Sequence, residues 1–146
     1  MIDVEVANEA WRKALPMVEA LVASAGEMAL DLAEREGEVV VMLTDDGDVR
    51  DLNERFRGKD QPTNVLSFPA PENPDDHLGD VALAYETCAR EAAEQGKSLA
   101  DHLQHLVAHG VLHLVGYDHD VDADAEIMEA LERRVLAALG VADPYA

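Results

Sequence analysis

His109, His113, Gly116 and His119 constrain this chain more than any other group of residues in it. Histidines four positions apart bring their imidazoles together only on a helix, where residues i and i+4 share a face. Gly116 then permits a sharp reversal, because glycine tolerates the positive φ that other residues avoid. A reversal there returns His119 toward the helical pair. Three imidazoles converging in this way hold one tetrahedral cation, with Zn–N distances of ~2.0–2.1 Å, and leave a fourth position for water. The pattern predicts a helix ending near Leu114 and a metal at its end, held by His109, His113 and His119. Zinc, one ion per chain, is the expected cofactor, and three imidazoles also suit copper, iron or nickel. His102 and His105, further toward the helix N-terminus, read as flanking histidines. Asp118 and Asp120 are candidates either to fix a ligand's tautomer or to face solvent.

The rest of the chain alternates between two hydrophobic periods. Ile2 to Val6 alternates apolar and acidic residues, the mark of a half-buried strand. Pro16 suits a first helical turn, and Leu21, Val22, Ala25, Met28, Ala29 and Leu32 recur at helical spacing as far as Arg35. Glu38 to Thr44 reads as a strand, and Asp45-Asp46-Gly47 caps a helix reaching Phe56. An irregular segment, Arg57 to Thr63, leads to a strand at Asn64 to Phe68. Pro69, Pro71 and Pro74 make a loop before a strand at Gly79 to Ala84. Helices follow at Glu86 to Gln95, Ser98 to Leu114 and Asp122 to Leu139, with Gly96 and Gly140 as stops and Ser98 with Asp101 as a cap. Interspersed strands and helices, ending in a helical run, predict an α+β fold: a small mixed sheet of about four strands packed against helices. The 146 residues are expected to form one domain, residues 1–146.

Charge argues against an obvious partner. Eleven Lys and Arg against 31 Asp and Glu give a formal charge of −20, which repels polyanions at long range. Four of the eleven basic residues, Arg50, Arg55, Arg57 and Lys59, nevertheless fall within ten positions. The bland reading of that cluster is a solvated helix end with Arg57 paired to Glu54; the functional one is a local phosphate-binding patch. The single cysteine, Cys88, excludes an intrachain disulfide and reads as a small buried residue. No signal peptide and no membrane span are apparent, so a cytoplasmic location is expected.

The segment His109 to His119 matches H-E-x-x-H-x-x-G-x-x-H, the metzincin zinc pattern, in its three histidines and its glycine. Gly110 stands where that pattern has its glutamate base, which disfavours peptide hydrolysis. A closer resemblance is to the bacterial YbeY endoribonucleases, or rRNA maturation factors. It is carried by H-G-x-L-H-L-x-G-Y-D-H from His109 to His119, by Leu52-Asn53 through Phe56-Arg57 with Pro62-Thr63-Asn64-Val65-Leu66-Ser67-Phe68-Pro69, and by Leu78-Gly79-Asp80. The resemblance implies a zinc-dependent, single-strand-specific endoribonuclease. Its implied partners are single-stranded ribosomal RNA and the small ribosomal subunit or ribosome-associated proteins. Its implied task is maturation of the 3′ end of small-subunit ribosomal RNA and ribosome quality control. Arg57 and His109 are the candidate catalytic residues; Arg57, Lys59 and Ser67 are the candidate substrate-binding residues. Asp80 is a candidate acceptor for a nearby loop or a ligating histidine, and the Thr63 to Phe68 strand a candidate edge beside the metal. The rival readings are a non-catalytic ribosome-assembly factor with a structural metal and, last, a metallopeptidase.

Overall fold

Four consecutive apolar residues, Val39, Val40, Val41 and Met42, signal a strand with protein on both faces, since a strand facing water on one side would alternate. The computed structural model, which describes residues 1–59 and 63–145, places this run at the centre of a four-stranded sheet. The strands are β1 (Ile2–Val6), β2 (Glu38–Thr44), β3 (Val65–Pro69) and β4 (His77–Ala84), in the order β1-β2-β4-β3. β1 and β4 flank β2 in parallel, and β3 pairs antiparallel with β4 at the edge, so the sheet is mixed.

Six helices accompany it among the described residues: α1 (Ala10–Ala14), α2 (Val18–Leu32), α3 (Asp46–Arg57), α4 (Tyr85–Glu94), α5 (Leu99–Leu114) and α6 (Asp122–Leu139). The α+β architecture read from the sequence is the one observed. Val39, Val41, Leu43, Val81 and Leu83 bury their side chains in one core with α2, α5 and α6. Val40 and Met42 point the other way, where α3 covers part of the sheet through Val49 and Leu52. No helix among the described residues is long and apolar enough to cross a membrane.

Capping residues set the helix bounds. The Asp45 carboxylate accepts from the Asp48 N–H at 2.9 Å at the start of α3, and Gly58, with φ 69°, ends it. Ser98 accepts from the Asp101 N–H at 3.1 Å at the start of α5. Four expectations need correction. Helix α2 starts at Val18, two residues after Pro16, and stops at Leu32 rather than Arg35. Strand β4 begins at His77, two residues early, where its pairing with Glu38 of β2 starts. Helix α1 was not foreseen, because five residues are too few to show a period. Tertiary contacts hold it: Trp11 is fully buried, its indole N–H donates to the Thr44 carbonyl at 2.9 Å, and its ring meets Tyr85 edge-on. The irregular segment is also shorter than expected, since Arg57 closes α3; Asp60, Gln61 and Pro62 lie outside the described residues.

Candidate metal centre

Helix α5 reaches the sheet through a glycine. A Cβ at Gly110 would stand 2.9 Å from Val81 Cγ1, 3.2 Å from Ser67 Oγ and 3.4 Å from Val65 Cγ2. The Ser67 hydroxyl donates to the Gly110 carbonyl at 3.0 Å and ties edge strand β3 to the helix. This close approach fixes the last turn of α5, where His109 and His113 project from one face. Gly116, at φ 103°, then turns the chain back.

The turn brings the three histidines together. Ring centroids are 4.9 Å apart for His109 and His113, 5.0 Å for His113 and His119, and 5.2 Å for His109 and His119. Their potential ligand atoms all lie within 4.8 Å of one another, so the group can hold a metal ion. Asp118, His119 and Asp120 meet the same distance limit, but all three are exposed. Three imidazoles are a donor set that suits a divalent transition-metal cation when the rings are unprotonated. His113 is biased toward that neutral form, because burial first, and then the neighbouring His109 and His119, lower its pKa below 6.5. Ligation needs the unprotonated ring.

Glu132, on α6, completes the surroundings of His109. Its side chain is fully buried, and its Oε1 lies 2.8 Å from His109 Nδ1 and 3.3 Å from His105 Nε2. The Tyr145 hydroxyl donates to Oε2 at 2.7 Å. Burial works against the charged carboxylate, yet the donors from His105, His109 and Tyr145 outweigh it and bring the pKa down to about 2. Burial and the adjacent carboxylate push the Tyr145 hydroxyl up, so it remains a donor. An ionised carboxylate only accepts, so the His109 proton sits on Nδ1 and leaves the Nε2 lone pair for a cation. This is the carboxylate–histidine arrangement that orients metal ligands. A depressed carboxyl pKa stabilises the fold fully above about 4.5 and progressively less as pH falls toward about 2. The stability difference between the metal-free protein and Glu132→Gln should therefore move against the wild type over that window, as urea titrations between those pH values would report.

Asp118 is exposed, the second of its two expected placements. Its Oδ1 accepts the backbone N–H of His119 at 2.7 Å and of Asp120 at 3.3 Å, shaping the turn that carries His119 rather than fixing a ring tautomer. Asp80 lies 3.2 Å from His77 Nε2 on the face of the sheet opposite α5 and contacts no ligating histidine. Ser67 is buried, and its hydroxyl bond to the Gly110 carbonyl seats α5 against β3. Its carbonyl serves Arg57, whose Nη2 donates to it at 2.9 Å; Glu54 is not the arginine's partner. The Arg57 guanidinium carbon is 6.0 Å from the Phe68 ring centroid, and its charge contributes to the lowered pKa of His113. Lys59 is exposed just beyond α3. On its other side Arg57 borders a groove of about 870 Å³ lined by Val40, Met42, Leu52, Phe56, Phe68 and Asp80.

Comparison with known proteins gives the family. Residues 3–140 match the family model described as Endoribonuclease YbeY. The chain belongs to the YbeY family. It is 51% identical over 159 residues to a Rhodopseudomonas palustris (strain HaA2) protein named Endoribonuclease YbeY, covering 99% of this chain and 80% of that one. A Paramagnetospirillum magneticum relative of the same name is 51% identical over 155 residues, covering 99% and 94%. The solution structure of TM1509 from Thermotoga maritima superposes with a TM-score of 0.63 at 27% identity, over 99% of this chain and 98% of that one.

Within this YbeY-family fold, sequence reasoning passed over Glu132 and Tyr145. Glu132 carried a usable signal: it stands on the stripe of α6 formed by Met128, Leu131, Val135 and Leu136, all buried. A lone carboxylate on an apolar stripe must be paired. Histidines one helix earlier were the natural partners.

Proposed function

We propose that the chain is a zinc-dependent, single-strand-specific endoribonuclease, one domain over residues 1–146, working in the cytoplasm. Its substrate on this reading is ribosomal RNA, at the 3′ end of the small-subunit RNA and on defective ribosomes, in contact with the small subunit or proteins bound to it. The observation that carries the proposal is the imidazole trio, with His109 aligned by a buried carboxylate. His109, His113 and His119 hold the ion. When bound, it supplies a Lewis acid and a water of lowered pKa.

The chain's own residues supply the rest. Arg57 sits beside the cluster with a planar fork suited to phosphate oxygens, and it stabilises the negative charge that develops there. Anchoring on the Ser67 carbonyl holds the guanidinium in place and leaves its other N–H groups for the phosphate. Lys59 adds a second cation for the RNA backbone, offsetting locally the −20 of the whole chain. The test is metal analysis of purified protein, paired with cleavage of an unstructured RNA that a chelator stops and zinc restores.

Arg57→Lys keeps the charge and loses the fork. We expect turnover to fall at least about tenfold, short of the ~10²–10³ that follows outright removal of a charge-stabilising donor. Zinc content should stay stoichiometric. Wild-type turnover in this variant would remove Arg57 from the mechanism. A non-catalytic assembly factor is the second reading, favoured by the acidic charge and by the lack of an evident general base. Stoichiometric zinc with no cleavage of any unstructured RNA would support it.

A further inference from the structure

Residues 143–145 fold back onto α5 and α6 through a set of contacts that converge on Glu132. The Asp143 carboxylate takes the Arg133 Nε at 3.1 Å, and its Oδ1 accepts the Tyr145 N–H at 2.8 Å. Arg133 in turn lies 5.1 Å from the Tyr145 ring centroid. Asp143 and Arg133 thus aim the Tyr145 hydroxyl inward, where it meets Glu132 Oε2 at 2.7 Å and lies 3.3 Å from His105 Nε2. Glu132 Oε1 receives His109.

From this geometry we infer that Tyr145 and Glu132 are positioning residues for metal binding: the tail's hydroxyl fixes the carboxylate, and the carboxylate fixes the tautomer and tilt of His109. The inference rests on the metal reading of the histidine trio. Its physical basis is that a buried carboxylate with one oxygen unsatisfied would either turn toward another donor or draw in water. Either movement releases the ring it holds. With Tyr145 in place both oxygens are engaged, and His109 keeps Nε2 directed away from Glu132, toward the other two rings. A contact 40 residues from His105 in sequence thereby becomes part of the ion's site.

The experiment is a double-mutant cycle read by zinc affinity, measured by chelator competition on the full chain. Outer partners of metal ligands typically contribute 10–100-fold in affinity. We expect Glu132→Gln to weaken zinc binding within about that range, and Tyr145→Phe to weaken it several-fold. Because Tyr145 acts through Glu132, the phenylalanine change should cost nothing further in the Glu132→Gln background. A side chain that merely supports the fold would lower stability in both backgrounds and leave affinity alone. Imidazole nitrogen NMR supplies the second readout: His109 carries its proton on Nδ1 in the metal-free wild type and loses that preference in Glu132→Gln.

Folded Tyr145→Phe and Glu132→Gln proteins with wild-type zinc affinity would overturn the inference and leave the metal reading intact, provided His113→Ala abolishes binding. A wild type that binds no zinc, or binds it equally well in His113→Ala, would overturn both.

Discussion

Replacing His113 with alanine should remove metal and RNA cleavage together. The proposed site would have three ligands, and structural zinc in zinc-finger peptides is worth about 10–16 kcal/mol in apparent binding free energy. Losing one ligand forfeits roughly a third of that, on the order of 3–5 kcal/mol, or about 10²–10⁴-fold in affinity. His113 is half-buried at the end of α5 and is not part of the apolar core, so the fold should survive. Its depressed pKa means that protons compete weakly with the ion at neutral pH in the wild type. Zinc content and cleavage of unstructured RNA should therefore fall in parallel while the circular dichroism stays native. Cleavage at the wild-type rate in a zinc-free His113→Ala protein would separate catalysis from this centre and end the proposal.

The imidazole trio could be read from sequence because its information is local. A helical i,i+4 pair, a glycine with φ 103° and a third histidine all fall between His109 and His119, and short-range geometry decides where they point. The strands were legible for the same reason: Ile2–Val6 alternates and β2 runs apolar on both faces. What escaped was settled by contacts distant in sequence. Trp11 makes α1 a helix through Thr44, 33 residues away. Glu132 reaches His109 across 23 residues, and Ser67 reaches Gly110 across 43. Nothing within one element distinguishes Ser67 facing substrate from Ser67 facing α5, because residue type and period are the same in both cases. Arg57 falls between the two classes: its charge and position were visible, but its anchoring on the Ser67 carbonyl required the fold.

The long-range contact at Gly110 leads to the second large effect. In the metzincin pattern a glutamate occupies this position, and its absence from the sequence looked like a missing base. The packing gives a different reason for glycine. Even a methyl group here would press on Val81 Cγ1 at 2.9 Å, a branched side chain of the buried strand β4 with no room to withdraw. Gly110→Ala gains roughly 1 kcal/mol of helix propensity against about 1–3 kcal/mol of overpacking, so a net loss on the order of 1 kcal/mol is expected by urea unfolding. Gly110→Glu adds a longer side chain and brings a carboxylate against Val81, Ser67 and Val65, two of them apolar. An unpaired buried charge costs several kcal/mol more, a large part of the ~5–15 kcal/mol that holds a domain folded. The glutamate variant should therefore express as insoluble or partly unfolded protein and fail to cleave casein. A folded Gly110→Glu protein of wild-type stability would show that α5 does not approach β3 and β4 this closely; casein cleavage by it, lost on chelation, would mean that the trio lacked only a base to be a peptidase.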